Sequence, residues 1–268
     1  MAAPDAPPQP LEEQLSRVRT TLADTTKLLV CLDFDGTLAP IVDDPDAARP
    51  TERNQDAVAT LADTPAVTTA VVSGRALSDV RERIDGPSIY AGNHGLELAR
   101  EGDISIHPVA REHAARIERL CAVLEVVLTS VPNCRIENKR LTGTVHFRTV
   151  PPAAVPIVRR ITHDIVDRFG DDALELSPGK QILEIGPDLA WGKGDAVEVI
   201  AADEPSETAV IYIGDDVTDE SAFRAVEPDG LGIRVGDGPS SASARVDSPA
   251  AVADFLSWLG STGVDLLE

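Results

Sequence analysis

The chain of 268 residues carries 45 acidic against 24 basic side chains, a formal net charge of −21 at pH 7. That balance excludes nucleic acid and anionic membrane surfaces as partners, since both are recognised through basic footprints. With 43% hydrophobic residues the chain can bury one large core or two modest ones. Its three cysteines lack regular spacing and fit reduced thiols in a cytoplasmic protein. No signal peptide or membrane-spanning run is expected.

In chain order, the Ala/Pro-rich residues 1–10 read as a disordered tail. A helix is expected over 11–24, with Leu11, Leu15, Val18 and Leu22 on one face. The apolar run Leu28-Leu29-Val30-Cys31-Leu32 reads as a buried strand, and it ends at Asp33-Phe34-Asp35-Gly36-Thr37. Two acids separated by one residue leave a strand on the same side, and Gly36 lets the backbone turn sharply. A loop through Pro45 and Pro50, a helix over 51–63 and a second buried strand over 66–72 follow. That strand ends at Ser73-Gly74-Arg75, before a helix over 76–84 and a short strand over 88–91 that leads into Gly92-Asn93-His94-Gly95.

The rhythm then changes. A long helix over 109–130, strands over 135–138 and 142–147, a helix from Pro151 to about Phe169, and strands over 174–176 and 181–185 read as a separate α+β unit. The first pattern resumes after Trp191-Gly192-Lys193-Gly194 with a helix, a buried strand over 209–213, a helix from 218, a strand over 232–235 and a final helix over 249–259. The expected fold class is α/β: a doubly wound parallel-sheet core over 11–103 and 186–268, with an α+β cap inserted over 104–185.

The strand over 209–213 runs into Gly214-Asp215-Asp216-Val217-Thr218-Asp219-Glu220. Clustered carboxylates repel unless a cation or a shared proton relieves them. Two acidic clusters, each at the end of a parallel strand, therefore point to a composite site for Mg²⁺, which prefers hard oxygen ligands. They also point to a division of labour in which one carboxylate attacks and another handles protons. Only four of the 24 basic residues are lysines: Lys27, Lys139, Lys180 and Lys193. A lysine retained in an arginine-rich chain suggests a need for a compact ammonium.

Asp33, Ser73, Lys193 and Asp215 match the four motifs of the haloacid dehalogenase (HAD) superfamily of phosphohydrolases, whose core is Rossmann-like. The stretch between Asp35 and Ser73 is too short for a cap larger than one helix, whereas that between Ser73 and Lys193 has room for an α+β cap. Within the superfamily the chain closely resembles the trehalose-6-phosphate phosphatases. The stretches that carry the resemblance are LDFDGTLAPI, VVSGR, YAGNHGLEL, RIENKRLTGTVHFR, PGKQILEIGP, WGKGDAV and YIGDDVTDESAF, spread over residues 32 to 223. Phe34 departs from the family, which usually has Tyr there, and is expected to point away from the site.

The resemblance implies a Mg²⁺-dependent hydrolase of trehalose 6-phosphate acting through an aspartyl-phosphate, in a pathway with a trehalose-6-phosphate synthase. Asp33 is the implied nucleophile and Asp35 the implied acid and base. Asp33, the carbonyl of Asp35, and Asp215 are the implied metal ligands, with Asp216 and Asp219 behind them. Asp33, Ser73, Gly74 and Lys193 are the implied phosphate binders, and Asn93, His94, Glu137, Lys139, Arg148, Lys180 and Glu184 the implied sugar readers. Plainer readings stand beside these: Ser73 as a helix N-cap, Asp219 as an acid favoured by a helix dipole, Glu137 and Lys139 as a salt-bridged sheet face, and Arg75 as a cap or bridge. A HAD phosphatase for sucrose phosphate or a glycosyl-glycerate phosphate, and a catalytically silent regulatory module, remain alternatives. The sequence does not fix the oligomeric state, and a monomer is the favoured expectation.

Overall fold

A computed structural model describes residues 7–170 and 172–267. The chain divides into two compact units, one formed by residues up to Ile104 together with Trp191 onward, the other by Ser105–Ala190.

The first unit starts with the two-residue strand β1 (Gln9–Pro10), helix α1 (Leu11–Ala23) and strand β2 (Lys27–Leu32). It continues through α2 (Glu52–Ala62), β3 (Val67–Val72), α3 (Leu77–Arg83), β4 (Ile89–Gly92), β5 (Glu97–Arg100) and β6 (Asp103–Ile106). Of the expected tail over 1–10, residues 1–6 lie outside the described residues. Gln9 and Pro10 depart from that expectation, because they pair in parallel with Ala244 and Arg245 and so extend the sheet. Strands β5 and β6 were not anticipated; β5 turns back antiparallel to β4.

The second unit holds α4 (Pro108–Leu128), β7 (Arg135–Asn138), β8 (Gly143–His146), α5 (Val155–Phe169), β9 (Leu174–Gly179) and β10 (Ile182–Pro187). Its four strands run in the order β7-β8-β10-β9, all antiparallel. Ile117, Leu120 and Leu124 of α4 and Val158 of α5 pack with Val145, Leu183 and Ile185 in one core. The turn expected at Ser177–Gly179 instead falls at Lys180–Gln181, where Gln181 takes a left-handed backbone (φ 64°) and β9 continues to Gly179.

The chain then returns to the first unit through α6 (Lys193–Ala202), β11 (Thr208–Gly214), α7 (Glu220–Val226), β12 (Leu231–Val235), β13 (Ala244–Val246) and α8 (Pro249–Trp258). The nine strands are ordered β1-β13-β12-β11-β2-β3-β4-β5-β6 and are parallel from β1 to β4. Strand β2 is buried on both faces: Leu28, Val30 and Leu32 join one core, Leu29 and Cys31 the other. That two-sided burial is why it reads as an unbroken apolar run. From β2 the chain moves to β3 on one side and later returns to β11 on the other. This reversal opens a crevice at the carboxyl ends of these strands, the general place for ligands in open α/β sheets. Among the described residues no helix is long and apolar enough to cross a membrane.

Candidate active site

Parallel pairing brings the C-terminal ends of β2, β3 and β11 to one edge, and with them Asp33, Ser73 and Asp215. Asp33 follows β2 and is held by its own N–H, which donates to the Ile213 carbonyl at 2.9 Å. Its carboxylate is buried at 4% exposure. Lys193, the first residue of α6, is equally buried and donates to Asp33 Oδ1 at 2.6 Å and to Asp219 Oδ1 at 2.7 Å. Asp219 is fully buried and also accepts the Tyr212 hydroxyl at 2.6 Å, while its Oδ2 takes the Asp216 N–H at 2.8 Å. Thr37 donates to Asp33 Oδ2 at 3.4 Å.

Carboxylate oxygens of Asp33, Asp215 and Asp219 lie within 4.8 Å of one another. Three carboxylates face one ammonium, an excess of negative charge in a buried place. Burial pushes the Asp33 carboxyl well above its usual range, and the charges of Asp219 and Asp215 push the same way against the pull of Lys193. Burial alone would lower the Lys193 ammonium, but Asp219 and Asp33 hold it above its ordinary value, so it stays charged. The donor set is all oxygen and short of positive charge, which fits a hard divalent cation.

Gly36 shapes this site directly. It adopts φ +82°, and a Cβ there would lie 2.3 Å from the Asp215 carboxyl carbon. Only a residue without a side chain lets the loop after β2 pass under Asp215. Gly74 has a comparable role, since a Cβ on it would stand 2.6 Å from His94 Cε1. Phe34, between the two acids, points into the hydrophobic core as expected and is fully buried.

Ser73 is buried, its N–H bonded to the Ala91 carbonyl at 2.9 Å, and its Oγ accepts from the Arg75 N–H at 3.2 Å. It does not cap α3, which begins only at Leu77. Glu97 of β5 performs that duty instead: its Oε1 accepts from the Leu77 N–H and from Asn93 Nδ2, both at 2.7 Å. Asn93 and His94 both take left-handed backbone (φ 49° and 57°) in the turn after β4, which turns His94 toward Gly74.

Asp35 departs from its neighbours. Both of its oxygens are taken by Arg75, Oδ2 by Nε and Oδ1 by Nη2, each at 2.7 Å. Arg75 therefore bridges Asp35 to Asp79, which ties it to the candidate site. Its signal in the sequence was its place two residues after Ser73, but nothing local marked Asp35 as its partner. Tyr212 and Glu97 were likewise missed, because each lies within a strand and meets its partners only through the turns that follow or precede it.

In the second unit Glu137, Lys139 and Glu184 are half-buried, while Arg148 and Lys180 are exposed. Glu137 and Glu184 stand opposite Thr144 on either side of the central strand β8. Cross-strand neighbours share a face, so the two carboxylates and Thr144 lie on the side away from the apolar core. Lys139 donates to Glu184 Oε1 at 3.1 Å, and His146 Nε2 lies 2.8 Å from Glu137 Oε2. Burial would raise the Glu137 carboxyl, but the His146 bond and the charges of Lys139, His146 and Arg135 bring it below its usual range. His146, read from the sequence as unremarkable, thus belongs with this cluster.

The fold and the edge just described define a HAD-like α/β core. A HAD-superfamily phosphatase from Bacteroides thetaiotaomicron shares the fold at a TM-score of 0.55 and 15% identity, over 89% of this chain and 96% of that one. The family model for trehalose-phosphatase matches residues 31–251, and the chain belongs to that family. It is 38% identical to a trehalose-phosphate phosphatase of Mycobacterium ulcerans over 243 residues, 87% of this chain, and spans 61% of that relative's length. The crystal structure of a trehalose-6-phosphate phosphatase related protein superposes with a TM-score of 0.79 at 26% identity, over 88% of this chain and 99% of that one. Membership in a HAD phosphatase family implies a divalent metal, and an acidic cluster of Asp33, Asp215 and Asp219 is present.

Proposed function

We propose that this chain hydrolyses trehalose 6-phosphate to trehalose and phosphate by way of an aspartyl-phosphate on Asp33. The observation that carries the reading is the convergence of Asp33, Ser73, Lys193 and Asp215 on one sheet edge, within a chain of the trehalose-phosphatase family.

Asp33 attacks the phosphorus through a carboxylate oxygen, and the bond from phosphorus to the sugar oxygen breaks. Asp35, once it has taken up a proton and freed an oxygen from Arg75, gives that proton to the sugar oxygen, and trehalose leaves. Water then attacks the phosphorus of the aspartyl-phosphate, Asp35 takes the proton of the water, and Asp33 is restored as phosphate departs. Ser73, Gly74 and Lys193 hold the phosphoryl oxygens through a hydroxyl, a backbone N–H and an ammonium. Mg²⁺ would be held by Asp33, the Asp35 carbonyl and Asp215, and would neutralise charge on the attacking carboxylate and the phosphate. Asp219 is better suited to fixing Lys193 than to holding the metal, because Lys193, Tyr212 and the Asp216 N–H already fill its two oxygens. Asp216 stands behind the metal with it.

Glu137, Lys139, Arg148, Lys180 and Glu184 read the sugar, and His94 is kept as a candidate reader; Asn93, expected to read sugar as well, is fully buried with its amide on Glu97 and supports the turn after β4 instead. Carboxylates and ammonium groups suit a disaccharide, whose hydroxyls both donate and accept. The setting is cytoplasmic, downstream of a trehalose-6-phosphate synthase. The test is phosphate release from a panel of sugar phosphates with and without Mg²⁺. Trehalose 6-phosphate should be the preferred substrate and metal should be required. Preference for another sugar phosphate would overturn the substrate, and full turnover in chelator would overturn the metal.

A further inference from the structure

Asp35 is the end of a chain of ion pairs that leads away from the phosphoryl edge. Arg75 grips both Asp35 oxygens at 2.7 Å. Two of its three remaining donors are also committed: one on Nη1 to Asp79 Oδ2 at 2.8 Å and one on Nη2 to the Pro45 carbonyl at 2.9 Å. The guanidinium carbon lies 5.4 Å from the centre of the Phe34 ring. Asp79, in the first turn of α3, is gripped in turn by Arg83, with Nε at 2.8 Å and Nη2 at 2.7 Å. Arg83 is tied to the loop before α2 by bonds to the carbonyls of Asp46 and Ala48, at 3.1 and 2.8 Å. The Arg75 and Arg83 side chains are only 11% and 6% exposed. Asp79 lies on the far side of Arg75 from Asp35, and its carboxylate contacts these two arginines.

A guanidinium presents its donors in a rigid planar fork. Its orientation is therefore set by whichever acceptors hold the edge remote from the active site. Were Asp79 absent, Arg75 would keep Asp35 and the Pro45 carbonyl but lose its only other anionic contact. We propose that Asp79 is a positioning residue for the proton-transfer step: acting through Arg75, it fixes where the Asp35 carboxylate lies. This deepens the functional reading above and rests on Asp35 being the acid and base of that reaction.

The test uses the pKa difference between leaving groups. An alkyl sugar oxygen leaves poorly without a proton, whereas nitrophenolate leaves without help. General acid catalysis supplies roughly 10²- to 10⁴-fold where it is needed. In Asp79→Asn, kcat/KM for trehalose 6-phosphate should fall about tenfold or more, while that for p-nitrophenyl phosphate stays within about twofold. Asp79→Glu, which keeps the charge, should recover most of the loss. In an Arg75→Met background, adding Asp79→Asn should cost nothing further with trehalose 6-phosphate, because Asp79 acts only through Arg75. A crystal structure of Asp79→Asn should show the Asp35 carboxylate turned from its place here.

An equal fall with both substrates would make Asp79 a prop of the fold and overturn the proposal. So would losses that add in the double variant, or an unchanged ratio with Asp35 unmoved. The functional reading is tested apart from this by the wild type. If it prefers another sugar phosphate, the substrate changes and the same alkyl-to-aryl comparison is made with that one.

Discussion

Tyr212 donates its hydroxyl to Asp219 Oδ1 at 2.6 Å, the oxygen that Lys193 reaches at 2.7 Å. The two donors converge on a carboxylate that has no exposure, and Tyr212 has none either. Burial and the charges of Asp219 and Asp33 hold the Tyr212 phenol far above its ordinary range, so it remains a donor. Asp219 thus carries the load of placing Lys193, and Tyr212 steadies Asp219. Asp219→Asn should leave Lys193 to collapse onto Asp33 and lower kcat by about 100-fold or more. Tyr212→Phe removes one hydrogen bond to a charged group, worth about 1.5–3 kcal/mol; it should lower Tm while leaving kcat within about threefold. Equal effects of the two changes on kcat would contradict this division, and enzyme kinetics with thermal melts on the purified variants would decide it.

The same cluster predicts how the metal answers to pH. The Asp33 carboxyl is raised by burial and by Asp219 and Asp215. A raised carboxyl means that the native state takes up a proton more readily than the unfolded chain, so metal-free stability increases as pH falls from neutrality toward the carboxylate range. Cation binding needs the ionised form. Mg²⁺ should therefore raise Tm at pH 7–8, and the gain should shrink as the solution is acidified, because protons and metal compete for one carboxylate. Activity should vanish in EDTA and return with Mg²⁺, and Ca²⁺, with its larger coordination shell, should inhibit. A metal-induced Tm shift that grew at lower pH would count against this assignment.

Asp33→Asn keeps the size of the nucleophile and removes its charge. Activity should drop by several orders of magnitude, yet the fold should persist and Tm without metal should be no lower than that of the wild type, since a buried, repelled charge is gone. A beryllium fluoride complex of the wild type should place density on Asp33. Density on Asp35 or Ser73 would reassign the nucleophile.

Much of this site was legible because β2, β3 and β11 are buried on both faces and end abruptly in polar residues. An unbroken apolar run followed by Asp-x-Asp-Gly has few other meanings. What escaped reading depends on contacts that the folded chain makes and no local pattern marks. Glu97 looks like a surface acid in a short mixed strand, and its burial makes sense only once Leu77 and Asn93 converge on it. Arg75 is one arginine among many until its fork is seen on Asp35. Strand β1 is two residues long, too short for any periodicity, and is formed because β13 offers it an edge.

Gly36 supplies a stringent geometric check. At φ +82° an L-residue pays about 1–2 kcal/mol in backbone strain, and a Cβ would stand 2.3 Å from the Asp215 carboxyl carbon. Gly36→Ala should therefore lower Tm and, by displacing Asp215, weaken Mg²⁺ binding about tenfold or more, measured by calorimetric titration. Wild-type metal affinity in this variant would mean that Asp215 does not hold the ion.

The face of the second unit that bears Thr144 carries the last prediction. Glu137 is fixed by His146 at 2.8 Å and Glu184 by Lys139 at 3.1 Å, across the strand that bears Thr144. Each carboxylate accepts from a neighbouring donor, and the two oxygens of a carboxylate can accept several hydrogen bonds at once. Losing one hydrogen bond between a hydroxyl and a charged group costs about 1.5–3 kcal/mol, or roughly 10- to 100-fold in kcat/KM. Glu137→Ala and Glu184→Ala should each lower kcat/KM for trehalose 6-phosphate by that factor. Neither should much alter the slow hydrolysis of p-nitrophenyl phosphate, which has no sugar to read. His146→Gln, which keeps a donor near Glu137, should lose less than His146→Phe. A parallel fall with both substrates would mean that these carboxylates support the unit's own fold, since a residue that reads the sugar can affect only the substrate that has one.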